Sequence, residues 1–496
     1  MMAERLATTF GFALYLLVIL IIGWIAYRQT RGVSDYLLGG RRLGRWVSAL
    51  SAGASDMSGW LMLGLPGLAY IATGEAVWVA VGLLIGTYLN WRLVAPRLRT
   101  YTLATDSALT LPEFLRRRFV QAGTALQLVS ALFILVFFLI YTTSGLVAGA
   151  KLFEAAFELP YRSALTLGTV AIVLYTVLGG FLAVSWTDVV QALLMVAALV
   201  ALPVIGIAAA GDTITLEPTP GQWIIASSGT PLTGLAIASL LGWGLGYFGQ
   251  PHVLARFMAT RNALEITAAR RIALVWTLLG LVGAIAVGLS AGWILGPTAG
   301  DGDHEKVFIL LAQTLLHPLV AGVLLAAILA AIMSTADSQL LVTSSALAED
   351  LYRPLSGGQG GERRLLTISR IAVLGLALLA YWLASDPSNG VLELVSYAWA
   401  GFGAAFGPVV LAALHWDRTS GWGALAGILV GGLVVLAWRQ LDGGVFELYE
   451  LLPAFVLSTL ALIGVSLLGP APPGEVLDRH RDLMSRPGTS DRSPGG

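Results

Sequence analysis

Apolar residues are grouped along the chain into thirteen long segments, which are separated by short polar connections. A stretch of roughly 20 apolar residues is long enough to cross a bilayer as an α-helix. None of the connections is long enough to form a soluble domain, so we predict one all-α transmembrane domain over residues 1–470. The polar stretch 471–496, rich in Pro, Gly, Ser and Arg, is predicted to be a disordered tail. The predicted helices cover about 6–27, 46–70, 74–96, 124–150, 163–180, 186–210, 232–255, 272–296, 318–348, 366–385, 390–414, 420–438 and 447–469.

One charged position interrupts the second of these segments. Its centre, Ser51–Trp60, reads SAGASDMSGW and carries Asp56 where a lipid-facing helix would have Leu or Val. An ionised aspartate at this depth costs at least ~2.5 kcal/mol, so it indicates a partner such as a cation or a substrate. Gly53 and Gly59 flank Asp56 and Pro66 follows, so we predict a helix that is broken at its centre. Broken helices near the middle of the membrane form the binding sites of secondary transporters.

The seventh segment has a similar interruption. Leu241–Pro251 reads LGWGLGYFGQP, with four glycines and a proline in the middle of an apolar run. The second and seventh helices are five apart and therefore run in opposite directions, which is typical of an inverted repeat. The two repeats would be about 46–210 and 232–414. The alternative is that these glycines only allow close helix packing.

Hydroxyl side chains line one face of the ninth segment. Ala331, Ser334, Thr335 and Ser338 follow the spacing i, i+3, i+4 and i+7, which places them on one side of a helix. A hard cation takes several oxygen ligands. A Ser/Thr stripe on its own more often serves helix–helix packing or bonds to the preceding turn. Because a broken helix lies at the same depth, we favour a cation site.

Composition supports a membrane protein and excludes several kinds of chemistry. Hydrophobic residues make up 57% of the 496 residues and charged residues only 12%, about half the ~25% of soluble domains. There is no cysteine, so disulfides and thiol chemistry are excluded, and the net charge of zero gives no basis for nucleic-acid binding. A membrane enzyme is the second hypothesis, but the apolar segments contain no paired carboxylates and the five histidines are scattered. A sensor and a channel are the further alternatives.

The distribution of basic residues predicts the orientation. With the N-terminus outside, 24 of the 29 Lys and Arg residues fall in inner connections or the tail. Basic residues are retained on the cytoplasmic side of membrane proteins. The acidic or neutral connections Asp212–Gly221 and Asp301–Glu305 fall outside in the same arrangement. We therefore predict an outer N-terminus and a cytoplasmic tail.

Several longer runs of residues resemble one family of transporters. The runs are LSAGASDMSGW, LTLPEF at 109–114, GGFLAVSWTD at 179–188, GWGLGYFGQPH, AAIMST and SYAWAGFGAAFGP at 396–408. Through them the chain is similar to the sodium/solute symporter family over about residues 6–470. The resemblance implies a leucine-transporter-type fold of thirteen helices with a five-plus-five inverted repeat. It also implies sodium-driven uptake of a small solute by alternating access across a bacterial cytoplasmic membrane.

The resemblance further implies which residues bind the ion and the solute. Sodium would be held by the carbonyl oxygens of Ala54, Met57 and Ala331 and the hydroxyls of Ser334 and Thr335, with Asp56 in support. L-proline is the expected substrate, and another small amino acid or pantothenate is the alternative. The expected substrate residues are Ser58, Gly59, Trp60, Tyr141, Trp243, Tyr247 and Pro251. No catalytic residue, nucleic acid or obligatory protein partner is expected; the other partner is membrane lipid.

Four further polar residues have two interpretations each. Asp337 departs from the family pattern, and either faces the ion's inward exit or a partner helix, or is wetted from an inner cavity. Asp188 is interpreted as a helix-start charge rather than a ligand. Arg41 resembles a position that matters in the family, although topology alone would place an Arg there. His252 is either a gate or a buried, satisfied side chain.

Overall fold

Helices account for nearly all of the computed structural model, which describes residues 2–27, 37–104, 108–178, 180–211, 229–298, 302–357 and 361–485. Leu43 and Thr260 are joined by an isolated parallel β-bridge. The helices are labelled α1 to α13 after the predicted segments, with shorter helices named by their residues. The orientation argument also used Arg28, Arg31, Arg486, Arg492, the whole of Asp212–Gly221 and Asp301, which lie outside the described residues.

The helix bounds follow the apolar segments closely, with the second and seventh helices divided as predicted. They are α1 Met2–Tyr27; α2 Arg45–Asp56, then Trp60–Gly64 and Leu65–Ile71; α3 Thr73–Leu89, continuing through Asn90–Val94 and Ala95–Ala104; α4 Gly123–Phe157; α5 Tyr161–Leu178; α6 Phe181–Ala210; α7 Gly234–Leu241, Gly242–Gly249 and Pro251–Ala259; α8 Glu265–Leu295; α9 Pro318–Ser345, continuing through Ala346–Tyr352 and Arg353–Leu355; α10 Glu362–Leu383; α11 Val391–His415; α12 Gly421–Trp438; and α13 Leu451–Leu468.

Eight helices among the described residues are long and apolar enough to cross a membrane. The other five predicted segments contain shorter apolar helices, at Thr9–Ile25, Trp60–Ile71, Tyr161–Leu174, Gly234–Gly249 and Thr367–Leu383. The chain is therefore a multi-pass membrane protein, and the prediction of an all-α membrane fold is confirmed. The count of thirteen crossings stays a prediction.

The most buried helices are α9 and α11. In their most apolar windows 78% and 83% of the residues are buried, against 28% in α13. Helix α9 packs against α1, α4 and α6, and α11 packs against α4, the middle of α7 and α12. Each also packs beside an interrupted helix, α9 beside α2 and α11 beside α7.

Two short helices occupy connections that the hydrophobic pattern left without structure, Leu111–Arg118 and Val307–Leu315. The first begins at a cap: the Thr110 hydroxyl accepts the amide of Glu113 at 3.1 Å, and the Glu113 carboxylate accepts the amide of Leu109 at 2.7 Å. Side-chain caps of this kind stabilise even a short helix. Helix α4 runs from the face that carries Leu111–Arg118, called the basic face below, to the opposite face at Phe157.

The tail differs from the sequence prediction of disorder. Gly474–Ser485 forms a helix on the basic face, while residues 486–496 lie outside the described part of the chain. Its His480 is buried beside the Tyr101 ring, and Arg481 pairs with Asp417 at 2.9 Å. Leu483 and Met484 also pack against the core. A few apolar side chains among many polar ones are enough to dock this helix, which composition alone does not reveal.

Candidate functional site

The break in α2 lies directly after Asp56. Helix Arg45–Asp56 ends at Met57, whose backbone leaves the helical region (φ −89°, ψ 85°). The amide of Met57 still bonds to the carbonyl of Gly53 at 2.9 Å, and the chain resumes as a wide π-helical turn at Trp60. The interruption leaves Ser58 between two half-helices. Backbone groups at such a break are available to a ligand.

The break in α7 lies at Gln250. Gly242–Gly249 is wound as a 3-10 helix, Gln250 is extended (φ −77°, ψ 106°), and Pro251 begins the final α-helical part. Gly246 also packs closely, because a Cβ atom there would lie 1.9 Å from Nε1 of Trp399. The glycines of α7 therefore permit both the break in the helix and its close packing against α11, so the two interpretations of this run hold together.

Asp56 is buried at the centre of a group of aromatic side chains. Its Oδ2 accepts a hydrogen bond from the hydroxyl of Tyr247 at 2.7 Å. Its backbone carbonyl accepts the Tyr141 hydroxyl at 2.9 Å and Nε1 of Trp60 at 3.2 Å. The other carboxylate oxygen, Oδ1, has no hydrogen-bond partner among the described residues. A buried carboxylate with a free oxygen is suited to a cationic partner.

Oxygen atoms of α2 and α9 meet at Ala54, two residues before Asp56 in the chain. The carbonyl of Ala54 accepts the hydroxyl of Ser334 at 2.8 Å and that of Thr335 at 3.3 Å. Ser334 also donates to the carbonyl of Ala331 at 3.0 Å. Four of the oxygens that the family resemblance implies as sodium ligands therefore lie together, in a buried region. Met57 is buried at the break, and its carbonyl makes no hydrogen bond with the α9 hydroxyls in the described structure.

Four of the expected substrate residues also lie together. Trp60 and Trp243 have ring centroids 6.5 Å apart, while Tyr141 and Tyr247 both contact Asp56. Sequence reasoning missed Trp399, whose ring packs edge-on against Tyr247 at 5.0 Å and whose Nε1 donates to the carbonyl of Trp243 at 2.8 Å. The only signal for it was a tryptophan within the glycine-rich run of α11.

Other predicted residues lie away from the aromatic group or contribute little side chain to it. Gly59 faces α4, because a Cβ atom there would lie 2.6 Å from that of Ala148. Ser58 is buried at the break, where its hydroxyl accepts the amide of Trp60 at 3.4 Å. Pro251 lines a narrow cavity of about 20 Å³ beside α9. His252 is buried and packs edge-on against Phe138.

A wide cavity leads toward this region from the face opposite the basic face. It measures about 500 Å³, and its lining includes Trp243, Lys151 and Glu305. Glu305 accepts Nζ of Lys151 at 2.7 Å and the first two amides of α11, those of Val391 and Leu392, both at 2.9 Å. The carboxylate therefore caps α11 and ties it to α4 at the rim of the cavity.

Toward the basic face, a buried ion pair lies beyond the α2–α9 contact. Nη2 of Arg256 is 3.3 Å from Oδ2 of Asp188, which also accepts the hydroxyl of Ser51 at 2.6 Å. The same Nη2 donates to the hydroxyl of Ser338 at 2.5 Å. The network joins α2, α6, α7 and α9. The interpretation of Asp188 as a helix-start charge is wrong: it is the eighth residue of α6, and its partner Arg256 is buried in α7 rather than in a connection.

The structure also shows the surroundings of Arg41 and Asp337, the other two polar residues that the sequence left with two interpretations. Arg41 donates to the carbonyls of Met258 at 3.0 Å and Ala108 at 2.7 Å, which joins three segments on the basic face. Burial and the neighbouring Arg99 lower the pKa of Arg41 to about 10, so it is still charged at neutral pH. Asp337 is fully buried, so the interpretation of a carboxylate wetted from an inner cavity is wrong.

The sequence profile of the family described as "Sodium:solute symporter family" matches residues 36–431. The chain belongs to this family. The chain is 49% identical to the sodium/proline symporter of Escherichia coli K12 over 486 residues, which are 95% of each chain. It is 49% identical to that of Salmonella typhimurium LT2 over 94% of each chain, and 46% identical to a high-affinity proline transporter of Bacillus subtilis 168 over 94% of this chain and 99% of the other.

Solved structures of other transporters share the fold. A sodium-coupled sialic acid symporter in a substrate-bound, outward-open state matches with a TM-score of 0.75 at 20% identity, over 94% of this chain and 98% of the other. The nucleobase-cation symporter Mhp1 in a closed conformation matches with a TM-score of 0.57 at 14% identity, over 92% and 100%. At these identities the likeness shows the fold alone, and the predicted leucine-transporter-type fold is confirmed.

Proposed function

We propose that this chain is a secondary transporter that imports L-proline together with sodium by alternating access. The observation that carries the proposal is the break of α2, where the buried Asp56 has a free carboxylate oxygen and the carbonyl of the nearby Ala54 meets hydroxyl oxygens of α9. A charged group in a membrane interior is retained for function. The names of relatives at 46–49% identity, which are sodium/proline symporters and a proline transporter, support the choice of ion and substrate. The same names favour a transporter over an enzyme.

The proposed sodium site couples the two helices that must move. Carbonyl oxygens of Ala54 and Ala331 and the hydroxyls of Ser334 and Thr335 act as ligands, with Met57 supplying a fifth oxygen and Asp56 the negative charge. A cation bound there draws the inner half of α2 against α9, because its ligands come from both helices. Release of the cation then permits these helices to separate. Sodium binding is thereby linked to the closure that substrate transport requires.

The proposed substrate site is the aromatic group next to Asp56. The faces of Trp60, Trp243 and Tyr247 suit a pyrrolidine ring, and they attract its cationic nitrogen. Backbone amides at the break of α2 donate to the substrate's carboxylate. Trp399 is added to this group because it holds Trp243 and Tyr247 in place through its hydrogen bond and its ring contact. Another small amino acid or pantothenate is the alternative substrate.

The proposed orientation puts the basic face in the cytoplasm of a bacterium and the N-terminus outside. The basic face carries the arginines of Leu111–Arg118 and of the tail helix, as expected for the cytoplasmic side. The cavity of about 500 Å³ then opens outward, and the Asp188–Arg256 network lies on the cytoplasmic side of the ion site.

Labelled-proline uptake into proteoliposomes tests this function. We expect accumulation against the proline gradient only when sodium is more concentrated on the side of entry. Competition by excess alanine, hydroxyproline and pantothenate then tests the substrate. Accumulation that is independent of sodium would contradict the coupling, and displacement of proline by pantothenate better than by proline itself would contradict the substrate while leaving the sodium site in place.

A further inference from the structure

Two cavities on the basic face meet at one carboxylate. The larger measures about 480 Å³, opens at the inner ends of α4 and α9, and is lined by Arg116, Gln127 and Asp350 among others. The smaller is the crevice of about 20 Å³ that Pro251 lines at the break of α7. Asp350 lines both cavities, so it separates the large cavity from the crevice that leads toward the substrate site.

The surroundings of Asp350 leave one oxygen without a partner. Its Oδ1 accepts the hydroxyl of Thr110 at 2.9 Å and Nε2 of Gln127 at 2.9 Å. Its Oδ2 makes no hydrogen bond with any described residue, although the side chain is fully buried. Buried carboxylate oxygens are rarely left without a donor. The second oxygen therefore has capacity for a ligand that donates from the crevice or from the large cavity.

The arginine side chains that line the large cavity differ in whether they form ion pairs. Arg117 pairs with Glu113 and Arg353 with Glu349, each one helical turn away, so these four charges cancel in pairs. Arg116 instead donates to Oε1 of Gln127 at 3.3 Å and makes no ion pair in the described structure. Gln127 thus contacts the guanidinium of Arg116 with one end of its amide and the carboxylate of Asp350 with the other. The exposed Arg116 and the buried Asp350 therefore have no oppositely charged partner among the described residues of this cavity.

We propose that Asp350 and Arg116 form a second, cytoplasmic-side binding site for the zwitterionic amino acid that the chain transports. This inference rests on the proposed function. Oδ2 of Asp350 accepts the substrate's charged nitrogen, and Arg116 binds its carboxylate. A simple anion is repelled by Asp350 and a simple cation by Arg116, whereas a zwitterion satisfies both groups. A charge-assisted contact at each end orients the substrate.

The position of Asp350 places this site on the exit route. A crevice of about 20 Å³ has room for about one water molecule, which is too little for an amino acid. The final part of α7, which begins at Pro251, must therefore move away from α9 before the substrate passes. When it does, the first charged group that the substrate meets between Pro251 and the large cavity is Asp350. Internal substrate would bind the same site from the cytoplasm.

Transport measured separately from each face tests the site. Initial rates of labelled-proline transport are compared in right-side-out and inside-out membrane vesicles that contain the full chain. We expect Asp350→Asn and Arg116→Gln each to raise the half-saturating proline concentration at the inner face about ten-fold, because each removes a contact to a charged group. The increase at the outer face should be clearly smaller. Arg353→Gln is the matched control, because that arginine lines the same cavity but is already paired with Glu349.

A second ligand separates binding from a merely structural role. Prolinamide lacks the carboxylate, so Arg116→Gln should weaken inhibition by proline at the inner face and leave inhibition by prolinamide as in the wild type. Asp350→Asn should weaken both. Equal changes at the two faces, or inner-face constants that neither variant alters, would overturn the site while leaving the proposed function standing. A wild type that transports no proline from either face would overturn both.

Discussion

The two oxygens of the Asp56 carboxylate have different surroundings, since only Oδ2 accepts a hydrogen bond. A substitution that removes a single hydroxyl group tests whether that hydrogen bond supports sodium binding. Tyr247→Phe removes the hydroxyl that donates to Oδ2 at 2.7 Å and keeps the ring that packs against Trp399. We expect the sodium concentration for half-maximal uptake to rise about ten-fold, because a hydrogen bond to a charged group is worth roughly 1.5–3 kcal/mol. Sodium titration of proline uptake measures this. Tyr161→Phe, which removes a hydroxyl bonded to the carbonyl of Ala384, is the control.

The hydroxyls of α9 give a second test at the residue scale. Ser334→Ala and Thr335→Ala each remove an oxygen that lies at the carbonyl of Ala54 and change the packed volume little. We expect both to raise the half-saturating sodium concentration, and Asp56→Asn to raise it further, because that variant removes the charge. Sodium-dependent uptake, corrected for the amount of protein, is the measurement. Unchanged sodium dependence with reduced protein levels would instead favour a packing role for these hydroxyls.

Residues of this site differ in how far the sequence predicts them. Asp56, Ser334 and Thr335 are visible because polar groups stand out in apolar runs, and the helical period places the two hydroxyls on one face. Trp399 and the partnership of Asp188 with Arg256 are not visible in the same way. Each depends on contacts between segments far apart in the chain, and helical periodicity carries no information about which segments meet.

At the scale of helices, the buried pair of Asp188 and Arg256 fixes four elements to one another. Removing one partner leaves the other charge buried, which costs about 3–5 kcal/mol, whereas removing both is far milder. We therefore expect Asp188→Asn and Arg256→Gln each to lower the thermal midpoint of the purified protein more than the double variant does. Thermal unfolding in detergent measures the three values. The exposed pair of Arg481 and Asp417 is the control, since surface pairs contribute only about 0–1 kcal/mol.

The tail helix Gly474–Ser485 should dock in a pH-dependent manner. Burial and the nearby Arg118 lower the pKa of His480 to about 4, against about 6.5 for a free histidine. Docking therefore favours the neutral ring: its stability is fully present above pH ~6.5 and is lost as the pH falls toward about 4.

Because the chain has no cysteine, two introduced cysteines can report this docking. Spin labels at Ala104 and Ser485 should move apart between pH 7.5 and pH 5. His480→Gln should make their distance independent of pH over the same range. A distance in the wild-type protein that stays constant with pH would contradict the prediction.

The same helix shows where prediction of elements from the sequence stops. The interrupted helices α2 and α7 are predictable because Gly and Pro act locally on the backbone. Docking of Gly474–Ser485 depends on a surface that α3 and the connection after α11 build together. No pattern within the tail specifies that surface.

For the whole molecule, the predicted coupling makes transport sensitive to voltage. One sodium ion that crosses with a neutral zwitterion moves one net charge, which gains roughly 2.3 kcal/mol per 100 mV of membrane potential. We expect proline uptake to rise with an inside-negative potential at fixed sodium gradient and to fall when an ionophore collapses the potential. Current recorded during uptake on a supported membrane is the measurement. Uptake that carries no current would contradict this stoichiometry.

The overall fold is the level at which the sequence predicts most. The positions of the helices follow from hydrophobic periodicity, and the two breaks follow from glycine and proline. The relative arrangement of thirteen segments does not follow from either. It depends on which small residues let helices approach, as Gly246 does at Trp399. The family resemblance supplied that arrangement.

The carboxylate of Glu305 constrains how related sequences vary. It accepts hydrogen bonds from Nζ of Lys151 and also from the first two amides of α11. The start of α11 therefore needs this carboxylate whether or not the lysine is present. A relative that loses the lysine still needs an acidic residue for the helix start. A relative that loses the glutamate leaves two amides of α11 without an acceptor, while Nζ of Lys151 still donates to Asp303 at 3.1 Å. Substitutions at position 151 should therefore occur with Glu305 retained, and position 305 should vary less among relatives than position 151.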